Sequence, residues 1–196
     1  MRRLDAAVAL LIVASLGAAA APVRQEAIID LDPANTTINF TLKGFPHTTT
    51  GSFRLKRGEI RVDPESGRAG GSIVVDANSG ATGIGMRDSE MKDRILEARS
   101  YPEIVFTPRK VSGTPLARGV FVMTVSGTMT VHGAAHELTM EVSIDRRGDD
   151  FSAAARLNIP YVAWGMKNPS VLFLTVSDAV LVDVSSTGHV IWKIVR

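Results

Sequence analysis

Between residues 36 and 184 apolar and polar side chains alternate in runs of about five to nine, broken by Gly, Pro, Asp and Asn. A period of two puts alternate side chains on opposite faces of an extended chain, so this pattern describes antiparallel strands with one buried face. Ile38, Phe40 and Leu42 share a face, with Thr37, Asn39 and Thr41 behind them. Phe53 and Leu55 repeat the pattern against Ser52, Arg54 and Lys56, and Ile73 with Val75 and Ile104 with Phe106 follow. Phe121, Met123, Val125, Met129 and Val131 form a longer run, then Leu138, Met140, Val142 and Ile144. Phe151 with Leu157, Leu172 with Leu174, and Val180, Val182 and Val184 bring the expected total to about eight or nine strands.

Turn chemistry separates the runs: Arg57-Gly58, Asp63-Pro64-Glu65-Ser66-Gly67, Ser112-Gly113-Thr114-Pro115, His132-Gly133 and Arg147-Gly148-Asp149-Asp150. Short strands at this spacing predict a sandwich or a barrel. One segment changes period. Met91 and Ile95 stand four apart, Asp88 or Ser89 is placed to cap, and Tyr101-Pro102 ends the pattern, which predicts one amphipathic helix over about 86–99. The last residues, 185–196, join a Ser-Ser-Thr-Gly hinge to an apolar tail, for which an added edge strand and a flexible end are both open.

The first 21 residues predict a cleavable secretory signal: Arg2 and Arg3, an apolar stretch over 6–16, and small residues at 18–21. That stretch falls short of the roughly 20 residues a membrane helix needs, so no stable membrane anchor is expected. The formal charge of +2 is spread along the chain, which gives no electrostatic case for nucleic acid. With no cysteine, disulfides and thiolate metal sites are excluded and stability must come from burial.

Enzyme signatures are weak. No Gly-x-Ser-x-Gly elbow or Walker loop is present, and the glycines at 80, 83 and 85 lack the Lys-Ser/Thr ending of a phosphate loop. Of four histidines only His132 and His136 are close, and a third metal ligand is wanting.

Four blocks together resemble the YceI-like family of exported polyisoprenoid-binding proteins. They are Asp32-Pro33 with Ile38-Asn39-Phe40 and Gly51-Ser52-Phe53; Arg87-Asp88, Met91, Ile95-Leu96 and Tyr101-Pro102-Glu103-Ile104-Val105-Phe106; Val125-Ser126-Gly127-Thr128-Met129-Thr130-Val131-His132-Gly133; and Ala163-Trp164-Gly165-Met166. Ile95-Leu96 stands where the family often has an aromatic residue. The resemblance spans residues 28–184, between the signal at 1–21 and an unassigned tail at 185–196. It implies a lipocalin-like, eight-stranded antiparallel β-barrel with the helix packed at one end, a periplasmic location, and an elongated apolar cavity for a prenyl-chain lipid.

The inward-facing mixture suits such a cavity. Flexible Met123, Met129 and Met140 accompany Phe40, Phe53, Phe106 and Phe121, with space left by Gly127, Ala153 and Ala155. Pattern alone equally describes a filled core. With the resemblance, Met91, Ile95 and Trp164 join the expected lining, and His47, Arg87, Asp88, Lys92 and Lys167 are candidates at its mouth. The expected function is a non-catalytic, cofactor-free carrier of an isoprenoid or other long-chain apolar lipid. A filled-barrel interaction protein of the envelope and an enzyme acting on an apolar substrate are the alternatives, and homo-oligomers are left open.

Overall fold

A computed structural model describes residues 24–113, 118–170 and 175–195. The leader, Thr114 and Pro115 of one expected turn, and Leu172 and Leu174 of one expected strand lie outside the described residues. The strands are β1 (Arg24–Asp30), β2 (Thr36–Leu42), β3 (Gly44–Phe45), β4 (Thr49–Val62), β5 (Ala69–Ala81), β6 (Glu103–Ser112), β7 (Gly119–Val131), β8 (Ala134–Arg147), β9 (Asp150–Ile159), β10 (Thr175–Val176) and β11 (Val180–Val195). Antiparallel neighbours run β2, β4, β5, β6, β7, β8, β9, β11 and back to β2, so eight staves close a barrel and abolish its edges. β3 and β10 form a small separate ladder.

One stave is built from two strands laid end to end. β11 pairs with β2 over Leu181 to Ser186 and with β1 over Val190 to Val195, while β4 pairs with β2 near its start and β1 near its end. The break is written locally. Pro33 opens a 3-10 turn (Pro33–Asn35), and the Asp32 carboxylate accepts the Ala34 N–H at 2.9 Å. Opposite it, β4 bulges between Leu55 and Arg57, and the Leu31 N–H reaches the Gly58 carbonyl at 2.8 Å. Arg57-Gly58 is therefore a bulge within a 14-residue strand, not the turn its composition predicts. The bare glycine lets Leu31 pack closely, since a Cβ on Gly58 would stand 3.0 Å from the Leu31 side chain.

The helix is shorter than the expected 86–99. It comprises α1 (Gly85–Glu90) and a π turn (Met91–Ile95), and the chain leaves it at Glu97, whose φ of +46° cannot continue a right-handed helix. Asp88 does not cap it from outside. Its Oδ1 accepts from the Thr82 N–H (2.7 Å) and hydroxyl (2.6 Å), tying the helix start to the end of β5. The 185–196 tail, as far as Val195, continues β11 without interruption.

Strand direction places the connections 43–48, 82–102, 132–133, 160–170 and 175–179 at one end of the barrel, called the upper end here. There Leu96 and Ala98 after the helix pack with Tyr161 and Met166 on Ala77, Val131, Leu157 and Ile159. The lower end is packed by Ala27, Leu31, Phe151 and Val190, with Val62, Val111 and Met123 beside them.

Candidate functional site

Between these two layers the barrel is hollow. A cavity of about 900 Å³ runs inside it, within the range of roughly 300–1,000 Å³ usual for ligand pockets. The alternation that makes the strands also makes its wall: Ile38, Phe40 and Leu42 of β2, Phe53 and Leu55 of β4, Ile73 and Val75 of β5, and Ile104 and Phe106 of β6 line it. On the other side stand Phe121, Met123, Val125 and Met129 of β7, Met140, Val142 and Ile144 of β8, Ala153 and Ala155 of β9, and Val180, Val182 and Val184 of β11. Side chains do not fill this barrel, because small residues stand where large ones would close it.

Of the expected lining residues, Phe40, Phe53, Phe106, Phe121, Met123, Met129, Met140, Met91 and Ile95 border the cavity. Trp164 does not. It stacks on His136 at 4.3 Å between ring centroids, 3° from parallel, and packs against the upper core. A ring held by a second ring in the turn after β9 is not free to reach the barrel axis. Tyr161 and Met166 of that same turn line the cavity instead, and no alternating pattern in the sequence marks them.

Close approaches shape the interior. The Phe40 and Phe53 rings meet at 5.4 Å and 43°. A Cβ on Gly80 would lie 2.6 Å from the Met91 methyl and 2.7 Å from the Phe53 ring, so Gly80 lets the helix's Met91 reach over the wall. Tyr161 is fixed by donating its hydroxyl to the Ser177 carbonyl at 2.8 Å, and burial beside the Asp178 carboxylate pushes its phenol up to about 12.

Polar groups gather at the two ends. At the lower end Arg146 faces inward, its Nε donating to the Gly148 carbonyl at 2.8 Å and its guanidinium lying 5.2 Å from the Trp192 ring centre. At the upper end His47, Thr49, Thr82, Arg87, Glu90 and Arg94 border the cavity. Of the residues expected at the mouth, His47 and Arg87 stand there, Asp88 is occupied by Thr82, and Lys167 lies 3.6 Å from Glu97 instead. Lys92 is not among the lining residues.

His132 and His136 have different partners. His132 lies 3.5 Å from Glu97 and 5.0 Å from the Tyr101 ring, while His136 stacks on Trp164. Among the described residues no three potential metal ligands come together.

A closed up-and-down antiparallel barrel with a hydrocarbon-lined interior and a helix over one end belongs to the lipocalin-like class of small-molecule-binding folds. The YceI-like domain model matches residues 30–187, and the chain belongs to that family. No curated protein matches the chain. Among solved structures, BcnA of Burkholderia cenocepacia is similar with a TM-score of 0.68 at 18% identity, covering 82% of this chain and 100% of its own. A polyisoprenoid-binding domain from Saccharophagus degradans, implicated in plant cell wall breakdown, gives 0.63 at 20% identity over 82% and 97%. The YCEI protein of Campylobacter jejuni gives 0.52 at 17% identity over 75% and 84%. At these identities the likeness is one of fold.

Proposed function

We propose that this protein is a periplasmic carrier that encloses a long apolar molecule, an isoprenoid lipid or quinone-like compound, and acts without catalysis or cofactor. The observation that carries this reading is the cavity of about 900 Å³, walled by Phe, Met and branched aliphatic side chains from every stave. Family membership and the likeness to a polyisoprenoid-binding domain support the same ligand class. Each CH₂ group moved from water into such a wall contributes about 0.8 kcal/mol, so a chain of many carbons binds through length and fit. Export rests on the basic, apolar and small-residue order of the first 21 residues.

Titration with a fluorescent prenyl-chain probe tests the reading. The native barrel is expected to saturate at one probe per chain. Filling the wall at Ala153→Phe with Ala155→Phe is expected to weaken uptake about tenfold or more while the fold persists, since the lost space is ligand space. Uptake unchanged by filling would place the probe outside the barrel and sink the proposal.

A further inference from the structure

The open mouth carries apolar side chains that no core absorbs. Phe45, Ile84 and Met86 border the cavity yet are 72%, 50% and 86% exposed. They come from separate elements, Phe45 from β3, Ile84 from the connection between β5 and α1, and Met86 from the first turn of α1, and converge on the same opening. Exposed apolar residues scattered singly mean little, but three large ones rimming an entrance form a patch. Cations accompany them. Arg87 borders the mouth, Lys43 is next to β3 and Lys92 is on the helix turn, and none of the three makes a salt bridge among the described residues. Of the nearby acids, Asp88 is bonded by Thr82 and attracts Arg87 and Lys92 from a distance longer than a salt bridge, and Glu90 pairs with Arg94 at 3.2 Å. Apolar side chains set among cations that hold no salt bridge are the chemistry of a surface that seats on anionic lipid.

We propose that the upper rim docks on the surface of an anionic lipid bilayer, so that an apolar molecule passes between membrane and barrel without crossing water. The inference rests on the carrier reading for its purpose, but the docking itself needs no cargo. An aqueous route would expose the whole chain to solvent, whereas a mouth seated among headgroups shields it throughout transfer.

The test is flotation of the full protein, without added cargo, on vesicles of phosphatidylcholine with and without phosphatidylglycerol. Binding is expected only with phosphatidylglycerol and is expected to fade with added salt. The double variant Ile84→Ser with Met86→Ser is expected to bind about tenfold less, and Arg87→Glu to lose the preference for the anionic lipid. Transfer of a prenyl probe from protein to vesicles is expected to quicken in proportion to vesicle concentration. No flotation together with a transfer rate independent of vesicle concentration would overturn docking while leaving the carrier reading intact. Flotation by a protein that refuses the probe would sustain docking and remove the cargo. If the serine variants change self-association and leave vesicle binding untouched, the rim is a contact between copies and the proposal fails.

Discussion

Gly127 faces inward on β7 opposite Pro108, and a Cβ there would stand 2.3 Å from the Thr107 carbonyl and 2.9 Å from the Phe106 ring. Gly127→Val is therefore expected to cost about 1–3 kcal/mol, read as a lower urea midpoint with unchanged slope. Tyr161 gives a pH-dependent prediction. The fold favours its neutral phenol, so the associated stability is fully present below pH 10, where the unfolded chain is also neutral. As pH rises through the window from 10 to about 12 the unfolded state ionises first and that stability is lost. Tyr161→Phe is expected to lower stability by about 1 kcal/mol at neutral pH, through the lost bond to Ser177, and to flatten the alkaline loss in thermal melts. Single residues were legible in the sequence where period two governs, as at Phe40 or Met123. They were not legible in the turn after β9, where Trp164, Tyr161 and Met166 are sorted by tertiary packing.

At the scale of elements, the strand ends were harder to read than the strands. Arg57-Gly58 has turn composition, yet β4 runs through it because the bulge there lodges Leu31 and matches the break between β1 and β2. The tail illustrates the same limit: its hinge-like Ser-Ser-Thr-Gly is extended because Ser185 and Ser186 face Thr37 and Thr36 across the ladder, with side-chain oxygens 2.6 and 2.8 Å apart. The tail's second half supplies β1 with its longer partner and places Val190 in the lower core. Removing residues 190–196 is thus expected to destabilise the protein by about 3 kcal/mol or more, measured by urea unfolding. An unchanged midpoint would show the segment to be an appendage. On the acid side, Lys56 and Arg57 bonding to Glu103 hold its carboxyl down at about 2 and fasten β4 near the start of β6. Their contribution is present above about pH 4.5 and is lost as pH falls toward 2, so Glu103→Gln is expected to reduce the acid sensitivity of unfolding across that interval.

At the scale of the whole molecule, an all-β chain with one helix over the barrel end followed from alternation, turn residues and family motifs. Whether the interior was hollow did not, because the same inward residues describe a filled core or a lined cavity. The difference lies in how strand register sets large against small, as Gly80 stands under Met91 and Gly127 under Phe106, and register is not written in any one strand. The central claim is that this space belongs to a prenyl chain. Native mass spectrometry of the protein purified from its native source, followed by organic extraction, tests it most directly. The account predicts a bound mass that releases as a prenyl lipid or quinone, one per chain. A bare protein mass that also stays bare after incubation with isoprenoids would contradict it.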